Sequence, residues 1–229
     1  MKIMHSIEPL TDQVSCVLTI GKFDGLHRGH QALIDKTVSV KNALSGSSKG
    51  EEVIAAVLAF DMSAIMLLSS EERRKRLKEA GIGLLIEQPF EPSVITMEAE
   101  DFVKDVLVRK LHVRAVVIGE GFRFGYGRRG DAALLQKMGA EYGFDVVSVP
   151  QVMYDGERIS SSRIRSLLKE GNIEEVNACL GYSFYITGKI IHGRRLGRTI
   201  GVPTANLIAD PSKLMPPNGV YMSLSDVDG

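Results

Sequence analysis

A short stretch near the start of the chain combines glycines, two histidines and an aspartate in a spacing that suits phosphate chemistry. It runs Gly21-Lys22-Phe23-Asp24-Gly25-Leu26-His27-Arg28-Gly29-His30. The apolar residues 14–20 before it predict a buried strand, and the amphipathic residues 31–44 after it predict a helix. A glycine-bearing turn between a strand and a helix brings backbone N–H groups and the positive end of the helix dipole together, which favours phosphate binding.

The two histidines of this stretch are the strongest candidates for chemistry. His27 and His30 are three residues apart and lie on one face of the first helical turn. An imidazole can donate a hydrogen bond to a phosphate oxygen and neutralise charge on a leaving group. On the residues alone two alternatives stay open: a tight connection without a ligand, and half of a metal site, although the other three histidines are widely scattered.

A second glycine-rich loop follows another strand-like run, residues 115–119. It reads Gly119-Glu120-Gly121-Phe122-Arg123-Phe124-Gly125-Tyr126-Gly127-Arg128-Arg129-Gly130-Asp131. Glycine lets the backbone approach a ligand closely, aromatic rings can stack on it, and guanidinium groups bind phosphate. A flexible, solvated loop without a ligand is the alternative from composition.

A third stretch, Ile159-Ser160-Ser161-Ser162-Arg163-Ile164-Arg165, leads into a helical pattern. One serine is enough to cap a helix, and capping alone is the alternative explanation. Three hydroxyls and two arginines at the positive end of a helix make a better anion clamp than capping requires. Because Arg163 and Arg165 are two apart, they cannot face the same way, and we expect Arg165 at the phosphates.

The elements that position these stretches alternate along the chain. Strand-like runs occur at residues 14–20, 53–60, 84–87, 115–119 and 146–149, with helical patterns at 31–44, 70–80, 98–111 and 132–142. Near-continuous apolar strands that alternate with helices predict a parallel sheet covered on both faces. Ligands of such open α/β sheets bind at the carboxyl ends of the strands, where the first two loops would lie.

Composition is that of an ordinary globular protein. The 229 residues are 44% hydrophobic and 24% charged, and 28 Lys+Arg balance 28 Asp+Glu. This balance argues against general nucleic-acid or anionic-membrane binding. Two cysteines form no disulfide framework, and neither a signal peptide nor an apolar run of 18 residues is found. We therefore expect a soluble, cytoplasmic protein.

The three motifs together resemble a known family. The first is similar to the Gly-x-Phe-Asp-Gly-x-His-x-Gly-His signature of bacterial bifunctional riboflavin kinase/FMN adenylyltransferases (FAD synthetases), in the nucleotidyltransferase superfamily. The second loop is similar to the family's Gly-Glu-Asp/Asn-Phe-x-Phe-Gly segment, and the third to its Ser-Ser-Thr-x-Ile-Arg triphosphate motif. The resemblance implies an α/β fold with a Rossmann-like open parallel sheet of the nucleotidyltransferase type.

The resemblance also implies an activity: transfer of AMP from ATP to FMN, which gives FAD and pyrophosphate, with Mg²⁺ bound to ATP. The implied catalytic residues are His27, His30 and Arg165. The residues implied to bind ATP and its phosphates are Gly21, Phe23, Asp24, Gly29, Ser161, Ser162 and Arg163. The residues implied on the flavin side are Gly119, Phe122, Arg123, Phe124 and Arg128. No metal held by the protein alone is expected in this first domain.

The chain departs from the family pattern at three places. Gly121 stands where the family has Asp or Asn, and Ser162 where threonine is usual. Phe60-Asp61-Met62-Ser63-Ala64 replaces the family's Phe-Asp/Glu-Pro-His-Pro. We expect the loss of this rigid turn to reshape the flavin or ATP pocket or to reduce activity.

The tail of the chain, from residue 182 onward, has a different sequence pattern from the alternating strands and helices before it. Residues 182–191 are rich in β-formers, and the glycine-rich, basic segment after them ends in Pro203-Thr204-Ala205-Asn206. This is similar to the riboflavin kinase signature Gly-Arg-x-x-Gly-x-Pro-Thr-Ala-Asn. The resemblance implies ATP and Mg²⁺ binding by Gly201, Thr204 and Asn206, with the last two as possible Mg²⁺ ligands.

Two domains are predicted from this pattern. Residues 1–182 would form the FMN adenylyltransferase domain, and residues 183–229 the N-terminal part of a riboflavin kinase antiparallel β-barrel, apparently truncated. The full-length protein would then also phosphorylate riboflavin to FMN. The expected partners are ATP, FMN, FAD and riboflavin, without nucleic acid or membrane, in a monomer or weak oligomer. The alternatives are an adenylyl- or cytidylyltransferase of another substrate, and a degenerate flavin- or nucleotide-binding protein.

Overall fold

A computed structural model of the chain describes residues 1–46, 52–61, 65–193, 199, 201–202 and 204–227. Its centre is one six-stranded sheet in which every neighbouring pair is parallel, in the order β1-β4-β3-β2-β5-β6. The strands are β1 (Lys2–Met4), β2 (Val14–Gly21), β3 (Glu52–Asp61), β4 (Leu84–Pro89), β5 (Val113–Gly119) and β6 (Asp145–Val149). The predicted open α/β fold is confirmed, and β1 is an edge strand that the sequence did not predict.

Helices cover both faces of the sheet, because the strands are apolar on both sides. They are α1 (Arg28–Ser45), α2 (Ser70–Glu79), α3 (Pro92–Ile95), α4 (Ala99–Asp101), α5 (Ala132–Tyr142), α6 (Ser161–Glu170) and α7 (Ile173–Leu180). Leu18 and Val116 face a core that includes Val106 and Leu135, whereas their strand neighbours Val17 and Val117 pack on the opposite side with α1. This alternation is the period of two that a strand imposes.

The stretch predicted as one helix over residues 98–111 differs from that prediction. Helix α4 passes directly into a π-helical segment, Phe102–Lys110, which ends with the Leu111 amide donating to the carbonyl of Val106, five residues earlier. Its buried residues are Phe102, Val103, Val106 and Leu107, and all four pack in the main core. A π-helix, with i→i−5 hydrogen bonds, is rare, and the apolar pattern of the sequence does not distinguish it from an α-helix.

The C-terminal half adds two small antiparallel ribbons. Strands β7 (Met153–Tyr154) and β8 (Glu157–Arg158) form a hairpin just before α6, and β9 (Gly188–Ile191) pairs with β10 (Asn206–Ala209). The second ribbon agrees with the antiparallel strands expected of the tail.

The sheet order determines where a ligand would bind. From β2 the chain moves outward to β3 and β4 and then returns to place β5 on the other side of β2. The sheet therefore has its switch point between β2 and β5, and ligands of doubly wound folds bind outside the carboxyl ends of the strands at this point. The loops that follow Gly21 and Gly119 both begin there.

Candidate active site

The loop between β2 and α1 has a constrained backbone. Phe23 (φ +50°) and Leu26 (φ +39°) have positive φ although neither is glycine, and Gly25 has φ +82°. Both non-glycine side chains are buried. Residues in this sparsely populated conformation persist only where their surroundings fix them, and they cluster at functional sites.

Three side chains hold this loop by hydrogen bonds to its backbone carbonyls. The Ser161 hydroxyl donates to the carbonyl of Asp24 at 2.9 Å, and the Tyr182 hydroxyl donates to that of Gly25 at 2.6 Å. The Gln31 amide donates to the carbonyl of Leu26 at 2.8 Å. Three consecutive carbonyls are thus bound by donors from α6, from the segment after α7 and from α1. Two of the three donors therefore come from residues more than 130 positions further along the chain.

His27 and His30 form a stacked pair at the start of α1. Their ring centroids are 3.7 Å apart and their planes differ by 17°. His27 is the N-cap of the helix, and its Nδ1 accepts from the backbone N–H of His30 at 3.3 Å. A neutral His27 ring therefore carries its proton on Nε2. Gly29 leaves room for this arrangement, since a Cβ there would lie 3.2 Å from the His27 ring.

Both imidazoles are strongly biased to the neutral form. Burial, followed by the charge of Arg158, lowers the pKa of His27 from 6.5 to about 4. Burial, followed by the neighbouring His27, lowers the pKa of His30 well below 6.5. Nδ1 of His30 is buried and has no hydrogen-bond partner among the residues that the structure describes. Buried polar atoms are nearly always paired, so this atom is a sign of an interaction that a ligand would complete.

Asp24 and Arg165 connect the loop to α6. The Arg165 Nη2 lies 2.6 Å from Oδ2 of Asp24, and Nε donates to the same oxygen at 2.8 Å. Nη2 also donates to the carbonyl of Ile65 at 2.6 Å, whereas Oδ1 of Asp24 accepts from the Leu67 amide at 2.7 Å. Within the described part of the chain, Nη1 of Arg165 has no partner, and the side chain is 29% exposed. This leaves one end of the guanidinium for an anion.

The other predicted residues of the third motif lie in different surroundings. Ser160 is the N-cap of α6, whereas Ser162 is exposed in the first turn of that helix. Arg163 is directed to the β7–β8 hairpin, where Nη1 donates to the carbonyl of Tyr154 at 2.8 Å and Nε lies 3.2 Å from Glu157. Arg163 and Arg165 thus contact different elements, as their spacing predicts.

The loop after β5 divides its aromatic residues between core and surface. Phe124 is 8% exposed and packs in the main core 5.8 Å from Phe102, and the ring of Phe122 stacks on it at 5.8 Å. Arg123 pairs with Asp131 at 3.0 Å, whereas Arg128 is exposed. Phe124 has the contacts of a core residue, so Phe122 is the better-placed ring for a ligand at this loop.

In the tail, Gly201, Thr204 and Asn206 are exposed, and Asn206 begins β10. A Cβ at Gly193 would come within 2.3 Å of the Asn206 amide nitrogen, so a larger residue there would displace the Asn206 side chain. The altered turn Met62–Ala64, residues 194–198, Ile200 and Pro203 lie outside the described residues. Among the residues described, His, Cys, Asp and Glu side chains form no group of three or more that could hold a metal ion.

One charged residue near the site was missed by the sequence reasoning. The positive charge of Arg158 on β8 contributes to the lowered pKa of His27. Asp155 (φ +53°) and Gly156 (φ +73°) form the tight turn that brings Arg158 back towards the start of α6. The Asp-Gly pair is a strong hairpin signal in a sequence, and it could have indicated this position.

Taken together, the fold and the site define an open α/β protein of the nucleotidyltransferase type. A family model described as FAD synthetase matches residues 10–163, and one described as riboflavin kinase matches residues 180–229. The chain belongs to the FAD synthetase family, which confirms the resemblance predicted from the three motifs. No helix within the described ranges has the length and apolar character needed to cross a membrane.

Curated relatives and a solved structure support this assignment. The bifunctional riboflavin kinase/FMN adenylyltransferase of Escherichia coli (strain K12) is 36% identical over 233 residues, 96% of this chain and 72% of the relative. The protein of that name from Pseudomonas fluorescens is 32% identical over 235 residues, 99% of this chain and 72% of the relative. A crystal structure described as a macrolide-efflux protein from Streptococcus pneumoniae has a TM-score of 0.81 and 27% identity, over 96% of this chain and 72% of that chain.

Proposed function

We propose that this chain is an FMN adenylyltransferase of FAD biosynthesis, which transfers AMP from ATP to FMN. The family assignment and the curated relatives support this activity. The observation that carries it is the stacked His27–His30 pair at a helix N-terminus, with a buried unpartnered nitrogen, beside the Asp24–Arg165 ion pair. Matches to FAD synthetase and riboflavin kinase on one chain disfavour a transferase of another substrate.

The reaction needs no covalent enzyme intermediate. A phosphate oxygen of FMN attacks the α-phosphorus of ATP, the bond from that phosphorus to the bridging oxygen of the β-phosphate breaks, and pyrophosphate leaves. The attacking phosphate is already ionised, so no general base is required. The protein therefore acts by holding two anions in line and by stabilising the charge that develops on the leaving group.

The neutral histidines suit this task as hydrogen-bond donors. The Nε2–H of His27 is free to donate, since Nδ1 is engaged by the helix N-terminus. The start of α1 adds backbone N–H groups and a positive dipole end. Arg165, oriented by Asp24, would contact the β- and γ-phosphates through Nη1, which has no partner among the described residues. Ser161 is already bound to the Asp24 carbonyl, so its role is to hold the loop.

We further propose that the tail contains part of a riboflavin kinase site. Thr204 and Asn206 carry hydroxyl and amide oxygens, which are donors of the type that Mg²⁺ accepts, and both are exposed. In both sites Mg²⁺ would arrive with ATP and shield the repulsion between its phosphates. The division of the chain at residues 182 and 183, the cytoplasmic location and the monomeric or weakly oligomeric state stay predictions.

The test is incubation with FMN, ATP and Mg²⁺, with FAD and pyrophosphate followed by chromatography. His30→Ala is the inactivating variant, and His192→Ala, at an exposed histidine in the tail, is the matched control. We expect FAD from the wild type and the control, and a loss of about a hundredfold or more in His30→Ala. Binding of FMN or ATP without FAD formation would instead favour a degenerate binding protein.

A further inference from the structure

Residues 65–67 connect the site to the far end of the chain. The carbonyl of Ile65 binds Arg165, and the amide of Leu67 binds Asp24. Between them, Met66 faces the other way: its N–H donates to the Ser212 carbonyl at 2.6 Å, and its carbonyl accepts from the Leu214 amide at 2.6 Å. Residues 65–67 thus contact the Asp24–Arg165 ion pair on one side and the tail on the other.

A buried ion pair fixes the tail in this position. Nζ of Lys213 lies 2.6 Å from Oε2 of Glu72, and their side chains are 1% and 2% exposed. The other oxygen, Oε1, accepts from the N–H and the hydroxyl of Thr187 at 3.1 and 2.9 Å. Lys213 also lies over the rings of Phe184 and Tyr185, 4.8 and 5.0 Å from their centroids. Each partner is buried, so loss of either leaves an unpaired charge.

We propose that residues 212–214 position the AMP-transfer site through residues 65–67, and that Glu72 and Lys213 are the positioning residues that hold them there. The inference rests on the proposed function. All of residues 212–214 belong to the region that matches riboflavin kinase, whereas Asp24 lies in the part that matches FAD synthetase. A segment of one family region therefore completes the active site of the other.

The chemistry explains why such a connection matters. Arg165 can bind ATP phosphates well only if its guanidinium is held in a fixed position. Two of its contacts, with Asp24 and with the Ile65 carbonyl, depend on residues 65–67. If this segment moves, the ion pair loses its orientation, whereas the flavin-side residues implied by the family resemblance lie elsewhere, in the loop after β5. The expected signature is a defect that concerns ATP and spares FMN.

The experiment compares four versions of this 229-residue chain: wild type, Lys213→Met, the double variant Glu72→Gln/Lys213→Met, and Leu111→Ala. Leu111 is a buried residue just before the amino end of β5, whereas the site lies at the carboxyl ends of the strands. Leu111→Ala therefore controls for lost stability. In the double variant no buried charge is left unpaired, and Gln can keep the capping box that Glu72 forms with Ser69. The readouts are the thermal midpoint of unfolding, kcat, and KM for ATP and for FMN. The kinetic constants are measured at a temperature well below the midpoint.

We expect Lys213→Met to melt earlier and to lose about tenfold in kcat/KM for ATP, with the KM for FMN unchanged. The double variant should regain the thermal midpoint without regaining kcat/KM for ATP, and Leu111→Ala should melt early with normal kinetics. Recovery of both quantities in the double variant would overturn the proposal, because Lys213 would then serve stability alone. The double variant also decides the question if Lys213→Met does not fold.

Hydrogen exchange separates this inference from the proposed function. The amides of Met66 and Leu67 should exchange faster in the double variant than in the wild type or in Leu111→Ala. If the wild type makes no FAD but the double variant still shows faster exchange at Met66 and Leu67, the proposed activity is refuted and the positioning contact stands. Unchanged exchange at both amides would overturn the positioning role even if FAD is formed.

Discussion

Asp24 and Arg165 share a single carboxylate oxygen: both Nε and Nη2 of the arginine lie within 2.8 Å of Oδ2 of the aspartate. This geometry leaves Oδ1 of Asp24 for the Leu67 amide and Nη1 of Arg165 for a ligand. The aspartate of the first motif therefore orients the arginine of the third. An arginine oriented in advance binds phosphate without losing further side-chain freedom.

The two arginines of α6 should differ sharply when each is replaced by lysine. Arg165→Lys loses the planar fork that contacts Asp24 and an anion together, and we expect FAD formation to fall by about a hundredfold. Arg163→Lys should mainly lower the thermal midpoint, because Arg163 binds the Tyr154 carbonyl and Glu157. Steady-state kinetics and thermal melts measure both effects. Equal kinetic losses would show that both arginines reach ATP.

Asp24→Asn should weaken both the fold and the reaction. The amide can still accept from Leu67, but it no longer neutralises Arg165, and we expect the free energy of unfolding to fall by about 2 kcal/mol. The kcat/KM for ATP should fall by about tenfold, since Arg165 loses its orientation. Glu157→Gln, which breaks the more exposed pair with Arg163, is the matched control and should leave kcat/KM at the wild-type value. Denaturant titration and FAD assays test these outcomes.

The free energy of unfolding should decrease in acid, over a pH range that the pKa of His27 determines. The unfolded chain protonates this histidine near pH 6.5, whereas burial and Arg158 lower its pKa in the folded protein to about 4. Between these values the unfolded state binds more protons, so the free energy of unfolding decreases as the pH falls from 6.5 to about 4. The full contribution of His27 is about 3 kcal/mol, and His30 acts in the same direction.

Denaturant titrations at several pH values in this range test the assignment. His27→Asn keeps a side chain that can cap α1 but removes the titrating group, so its stability should depend less on pH than that of the wild type. His192→Asn, at an exposed position, should retain the wild-type dependence. If His27→Asn and the wild type gave parallel curves, His27 would not be the group that resists protonation.

Tyr182→Phe removes one of the three donors behind the loop. The ring and its contact with Arg76, whose guanidinium carbon lies 3.6 Å from the ring centroid, are retained. The Gly25 carbonyl loses its hydroxyl partner, and we expect the free energy of unfolding to fall by about 1 kcal/mol, with a lower kcat for FAD formation. Tyr185→Phe changes the neighbouring ring, 6.0 Å away, without altering the bond to Gly25. A kcat loss of equal size in Tyr185→Phe would argue against a specific role for the Gly25 contact.

The sequence predicted the parallel sheet and the positions of the loops because both follow from local patterns. Apolar runs of strand length and a glycine-bearing turn before a helix are readable within a few residues, and the edge of the sheet follows from the alternation. Helix α5 agrees with the predicted bounds at both ends. The family assignment rested on the same local strings.

The contacts within the site could not be predicted from local patterns. Asp24 and Arg165 are 141 residues apart, and only the folded chain shows that they pair. The same holds for Phe124, which the family resemblance placed among the flavin-side residues but which packs in the core. The short edge strand β1 has three residues, too few for a period to be recognised.

The three donors behind the phosphate loop also bear on the order in which the protein is made. The donors to the carbonyls of Asp24, Gly25 and Leu26 lie 137, 157 and 5 residues further along the chain. A ribosome synthesises the chain from its N-terminus, so Gln31 emerges soon after the loop and Tyr182 last of the three. The loop therefore reaches its final shape only after Tyr182, which lies within the region that matches riboflavin kinase, has left the ribosome. A nascent chain that stops short of Tyr182 would lack one of the three hydrogen bonds that hold the loop before His27 and His30.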